Sequence, residues 1–388
     1  MSEHASEPTG AEDEKRVSWA ELFFDLVFVV AVTQVSSFVE AHLHWSGLLR
    51  ALIVFVPIYW LWVGTAIQTN LQDTDRPLFR IRLFVVALAA VFMALSLPAA
   101  YDRLGLLFAT AYWAGRLVLG VGVVMQSVRA GRVPVNPYSV SMVLTGPMLV
   151  VGAFAHGDVR ETIWGVAALL DLSTPSLFRS RLRWMRLDAG HLAERFGLFV
   201  LIALGESVVA VGASLDAHHL TVAEAFGVGI AFAVAAGLWW VYFHFAADAM
   251  RHAMATAKVQ LDITRLVLSY GHLAFIAAVI LVAVGLRESI AAPSHHLHWS
   301  SAGLLLGGSA LYLASFGFTR WAMFRLVSTT RLAAAGAVLV LLPVAPHVPA
   351  LVTLAALAVL LVVLNAVELE RVERIGWRAR LSARGRDR

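Results

Sequence analysis

Long apolar runs, most of them about 20 residues, recur along this chain and are separated by short polar or basic stretches. A helix of that length crosses a hydrocarbon core of roughly 30 Å. We read twelve such segments, at 19–39, 47–66, 79–99, 104–127, 137–155, 160–177, 191–213, 221–246, 262–286, 300–319, 332–345 and 348–367. The pattern predicts an all-α fold, a polytopic transmembrane helical bundle. The last two segments are short, and Pro343, Pro346, His347 and Pro349 lie between them, so a single broken hairpin is the alternative there. Residues 1–18 are polar and read as a disordered cytoplasmic tail. The next run has no small-residue cleavage site and reads as a retained helix, not a signal peptide.

Charge orients the segments. With a cytoplasmic N-terminus, 25 of the 30 basic residues fall in inside loops and tails, and only Arg50, Arg103, Arg160 and Arg287 fall outside. That asymmetry is the positive-inside pattern and places both termini in the cytoplasm. The expected location is the cell membrane, as a multi-pass protein, with the lipid bilayer as its partner. Composition agrees: of 388 residues, 59% are hydrophobic and 14% charged, and mean hydropathy is +0.75. A soluble domain carries roughly 25% charged residues. The net charge of +4 reflects topology, and no nucleic-acid partner is expected. There is no cysteine, which excludes disulfides and thiolate metal sites.

The chain also resembles itself. Ala20-Glu21-Leu22-Phe23 returns 173 residues later as Ala193-Glu194-Arg195-Phe196. Segment three, from Arg82, resembles segment nine, from His272, and Tyr59-Trp60-Leu61-Trp62 answers Trp239-Trp240-Val241-Tyr242. Two parallel six-helix repeats are expected, at 19–177 and 191–367, joined by a basic cytoplasmic linker at 178–190 and followed by a basic tail at 368–388. Similarity of composition among apolar helices is the simpler alternative.

The opening stretch, Trp19-Ala20-Glu21-Leu22-Phe23-Phe24-Asp25-Leu26-Val27-Phe28, resembles the signature of the bacterial low temperature requirement A (LtrA) family. His191-Leu192-Ala193-Glu194-Arg195-Phe196, Leu204-Gly205-Glu206-Ser207 and the segment from Tyr270-Gly271-His272 to Val284-Gly285 extend the resemblance over 18–368. It implies a membrane protein linked by name to growth in the cold, and it carries over no catalytic residue.

Ionisable groups within apolar segments are the candidates for chemistry, because burying them in a bilayer is costly. Glu21 and Asp25 share one helix face at i and i+4. Ser18 with Glu21 fits a capping box, and Asp25, a turn deeper, calls for a buried arginine, for which Arg82 is the natural choice. Glu194, beside His191 and Arg195, reads as part of a cytoplasmic network. Glu206 sits deeper, with no opposite charge near it in sequence, and is the leading candidate for a proton or transport site. Its counterpart in the first half is Thr33. Asp248 lies at i+4 from His244 and i−4 from His252, a stripe suited to proton relay or pairing more than to metal. His272 either joins a pathway or bonds a backbone carbonyl. Arg116 needs an anionic partner, and Asp171 and Gln68 are weaker candidates for interhelical bonds. Trp19, Trp45, Tyr59, Trp60, Trp62 and Trp299 read as interfacial anchors. No cofactor and no metal site is expected.

Three functions follow. The first is a proton-coupled secondary transporter of an unknown small solute. The second is a membrane-embedded enzyme on an apolar or lipid substrate, and the third a non-catalytic membrane factor for growth in the cold.

Overall fold

The structure, a computed structural model, describes residues 15–74, 76–131, 135–183, 185–213, 215 and 220–384. Most of the expected N-terminal tail, 1–14, lies outside them. Among the described residues all regular elements are helical: α1 Trp19–Ala41, α2 Trp45–Leu71, α3 Pro77–Ser96 and α4 Gly105–Arg129. They continue as α5 Pro137–Ala153, α6 Gly157–Leu177, α7 Ala189–Ala213, α8 Val222–Phe243 and α9 Ala247–Thr256. The last four are α10 Gln260–Ala291, α11 Trp299–Phe324, α12 Thr329–Leu341 and α13 Ala350–Arg384. Three of them carry π-helical segments: α5 at Ser141–Thr145, α10 at Thr264–Gly271 and α11 at Gly303–Gly307.

Helix ends follow local chemistry. Ser18 and Glu21 form the expected capping box at α1, and Thr221 with Glu224 forms another at α8. Asn136 caps α5, with Pro137 at its first position. Arg325 ends α11 in a left-handed conformation, at φ 56°.

Ten helices among the described residues are long and apolar enough to cross a membrane. They include Thr329–His347 and Ala350–Val372, so each of the last two apolar segments has the length of a span and the broken hairpin is set aside. Helix α13 runs on to Arg384, through most of the stretch read as a tail. The fifth segment is a shorter apolar helix, and the sixth carries Asp158, Arg160, Glu161 and Asp171. Both still run from face to face. At the near face, where α1 begins, Arg181 reaches the Val135 carbonyl just before α5. At the far face Arg160 bonds the carbonyls of Ala153, Asp102 and Ala100. Glu161 there pairs with Arg50 of α2, and at the near end of α6 Ser176 meets Arg265 and Tyr270.

Neighbour order is the same in the two halves. In the first, α1 packs on α2 and α3, α3 on α4, α4 on α5, α5 on α6, and α6 on α2. In the second, α7 packs on α8 and α10, α10 on α11, α11 on α12, α12 on α13, and α13 on α8. The halves meet along α1, α2, α7 and α10, with Tyr59 of α2 donating to the Ser269 carbonyl of α10 at 2.7 Å. Large apolar side chains also cover the outside: Leu26, Leu78, Val151, Leu169 and Phe226 are each more than half exposed. An outer surface of that kind suits contact with lipid tails.

Candidate functional site

The densest buried polar cluster sits between α1, α2 and α7, a turn or two inside the near face. Helix α1 turns Glu21, Phe24, Asp25, Phe28, Ala31, Val32 and Val35 inward, at the spacing of one helical face. Arg195 of α7 is fully buried and joins both acids. Its Nη1 donates to Glu21 Oε1 at 2.7 Å and its Nη2 to Asp25 Oδ1 at 2.6 Å. Nη1 also donates to Thr69 Oγ1 at 2.9 Å. The guanidinium lies over the Phe24 and Trp62 rings, at 5.9 and 5.7 Å.

Each acid has further partners. Trp62 Nε1 donates to Asp25 Oδ1 at 2.7 Å, while Asp25 Oδ2 is buried with no hydrogen-bond partner among the described residues. Glu21 Oε2 accepts from the Ser18 backbone N–H, and Oε1 accepts from His191 Nε2 at 3.0 Å. The imidazole tautomer follows from its other side. Asn70 Oδ1 accepts from the Asp188 N–H, which fixes the amide, so Asn70 Nδ2 donates to His191 Nδ1. With Nδ1 accepting, Nε2 is the atom that donates to Glu21 Oε1. One guanidinium thus serves two carboxylates. Lys15 closes the near side by donating to the carbonyls of Thr69, Asn70 and Gln72 at the end of α2. Burial holds its ammonium below the usual lysine range.

Toward the far face the same α1–α7 seam becomes aromatic. Phe199 meets Phe28 at 6.0 Å, Trp62 at 4.4 Å and Tyr59 at 5.9 Å. Beyond this layer lies Glu206, only 4% exposed. Thr33 Oγ1 donates to its Oε2 at 2.5 Å. The two residues matched across the halves are thus bonded to each other. Arg195 and Glu206 are about 16 Å apart along α7 at 1.5 Å per residue. Gly205 faces open space, and the buried Ser207 Oγ has no partner. Glu40 and Arg287 pair at 2.7 Å nearer the far face.

Three expectations are corrected here. Asp25 does pair with an arginine, but it is Arg195 and not Arg82, whose Nη2 donates to the Val118 carbonyl at 3.2 Å. Glu194 is exposed, because Arg195 and His191 turn inward toward Glu21 and leave it on the opposite side of α7. The 173-residue register therefore matches sequence but not burial: Glu21 is buried where Glu194 is exposed, and Phe196 is buried where Phe23 is exposed. Tyr59, Trp60 and Trp62 are core residues at 0–3% exposure, whereas Trp19, Trp45 and Trp299 do lie outside.

The other candidates stand apart. The eighth segment breaks between Phe243 and Ala247, so His244, Asp248 and His252 do not lie on one continuous helix. All three are exposed, and Asp248 pairs with Arg251 at 2.9 Å. His272 is fully buried, with Nε2 against Tyr242 Oη at 2.6 Å and Nδ1 against the Val267 carbonyl. Arg116 finds its acid indirectly. Its Nη2 donates to Ser141 Oγ at 2.6 Å, and Ser141 Oγ donates to Asp171 Oδ1 at 2.7 Å. Tyr112 and Thr145 also donate to Asp171. Gln68 donates to the Leu119 carbonyl.

The bacterial low temperature requirement A protein (LtrA) family model matches residues 16–366. The chain belongs to the LtrA family. An uncharacterised protein of Rhizobium meliloti, strain 1021, is 29% identical over 320 residues, covering 80% of this chain and 77% of that protein. No solved structure matches. Two of the stretches through which the resemblance to LtrA proteins is read, 19–28 and 191–196, are brought together by the fold around Arg195. Sequence reading missed Trp62, Thr69, Asn70 and Asp188. The polar run Gln68-Thr69-Asn70 closing α2 was the available signal, as was Asp188 just before α7.

Proposed function

We propose that this LtrA-family protein is a proton-coupled secondary transporter of the cell membrane, with the α1–α7 seam as its proton path. One observation carries the reading. A single helix pair holds carboxylates near both ends, with a plug of four aromatic rings between them. The near site has a surplus carboxylate and an unpartnered Asp25 Oδ2, where a proton can rest. The far site has Glu206, held by one hydroxyl. Buried carboxylates in membrane helices are typical members of proton relays.

We read the fold as two parallel six-helix repeats with both termini cytoplasmic. Support comes from the shared neighbour order of the halves and from the excess of arginine at the near face. In addition, α1 and α7 run in the same direction, since Glu21 meets Arg195 and Thr33 meets Glu206. An odd number of crossings between them, α2 to α6, has that result.

Proteoliposomes enclosing a pH-sensitive dye test the reading against a panel of small solutes. Wild-type protein should move protons with at least one solute, and Glu206→Gln should reduce that flux at least tenfold. The reading fails if wild-type vesicles match empty ones throughout, or if Glu206→Gln vesicles match wild type.

A further inference from the structure

A cavity lies between the halves near the near face, away from the carboxylate seam. It has a volume of about 70 Å³, roughly the space of two waters, and opens partly outward. Trp60, Gly64, Arg116 and Tyr138 line it from one half, and Arg265 and Ser269 from the other. Most of the wall is apolar, so the two guanidinium groups dominate its chemistry.

Both arginines have hydrogen-bonding capacity to spare. Arg116 is 1% exposed and lies 5.4 Å from the Tyr138 ring. It donates to the Trp60 carbonyl and Ser141 Oγ, and its Nε–H is buried without a partner among the described residues. The Nε–H of Arg265 is likewise buried and unpartnered. The acid closest to Arg265 is largely committed elsewhere: Asp262 takes two 2.6 Å bonds from Arg179 and lies 3.5 Å from Arg265. Asp171 reaches Arg116 only through Ser141.

The backbone around the cavity is irregular on both sides. Ser141 belongs to the π segment of α5, and Arg265 and Ser269 belong to that of α10. Such segments recur at functional sites because they leave carbonyls and side chains out of the regular ladder. Gly64 also fits this picture. A Cβ there would stand 2.7 Å from Arg116 Nη1 and 3.3 Å from the Tyr138 ring, so adding one would push the guanidinium off its place against α2.

We propose that this cavity binds an oxyanion, a carboxylate or phosphate, between Arg116 and Arg265. Tyr138, Trp60 and neighbouring apolar side chains would receive any attached hydrocarbon. An anion there would lie against two guanidinium groups whose nearest acids are held by other donors, and charge-assisted bonds to arginine are among the stronger polar contacts. The inference does not depend on proton transport, since the cavity shares no residue with the α1–α7 seam.

The test is thermal unfolding of the full chain in nanodiscs of neutral lipid. Decanoate should raise the melting temperature, and decanol, with the same chain and no charge, should not. Arg265→Gln should weaken the apparent affinity for decanoate about tenfold, the loss of one charged hydrogen bond. Gly64→Ala should weaken it further, and Arg265→Gln keeps the test valid if that variant fails to fold. A shift with inorganic phosphate or acetate alone identifies a free anion as the ligand. If the response to decanoate is lost when phosphatidylglycerol is included in the disc, the ligand is a lipid headgroup. The proposal is overturned if no anion outperforms decanol on the wild type, or if Arg265→Gln responds as the wild type does.

Discussion

The two ends of the α1–α7 seam hold their carboxylates in opposite ways. At the near end Glu21 and Asp25 are held by a guanidinium, an indole, an imidazole and the Ser18 helix cap. At the far end Glu206 has a single threonine hydroxyl. The near group is a joint between α1 and α7, and its acids cannot move without disturbing several helices. Glu206 is free to change its bonding at small structural cost. The residue whose bonding changes as a proton comes and goes is therefore expected to be Glu206, with Asp25 Oδ2 a fixed resting point on the path.

That contrast is sharpest for Arg195→Met. It leaves two carboxylates buried without their cation and should cost about 3–5 kcal/mol. The expected sign is loss of the monodisperse peak on size exclusion, with much of it regained in the triple variant carrying Glu21→Gln and Asp25→Asn. No recovery would mean that Arg195 acts mainly by packing. Phe199→Ala, in the layer between the ends, should cost about 3–4 kcal/mol of stability. If the layer separates the two sites, the variant vesicles should also leak protons faster than wild type. Glu206→Gln keeps a group able to bond Thr33 and should change stability by less than ~1 kcal/mol, while solute-driven proton flux drops. A large loss of stability would move Glu206 into the same class as Asp25. Glu194→Gln, on the exposed side of α7, should stay within about 0.5 kcal/mol and leave flux unchanged.

How much of this was legible in the sequence depends on what each feature requires. Apolar runs mark helices regardless of their neighbours, so the segments were readable from 19–39 through 348–367, and so was the Ser18–Glu21 cap, which is local. The partner of Asp25 was not. The sequence pointed to Arg82, and the choice of Arg195 instead is set by how far each helix is rotated about its axis. The same rotation exposes Glu194 while burying Arg195 beside it. The aromatic residues Tyr59 and Trp62 posed a related problem: near a segment end their composition fits an interfacial belt, yet packing against α7 puts them in the core. Helix breaks are also non-local, so the regular spacing of His244, Asp248 and His252 concealed the turn that separates the first from the other two.

The Arg195 joint also sets an order of events during synthesis. Asp25 and its cation are 170 residues apart in the chain. At roughly 5–20 residues per second, α1 waits on the order of 10–30 s before α7 is made. During that interval two acids on a newly inserted helix have no arginine to neutralise them. The first helix of this protein is therefore expected to stay near the insertion machinery, or to sit shallowly in the bilayer, until the seventh arrives to lock it.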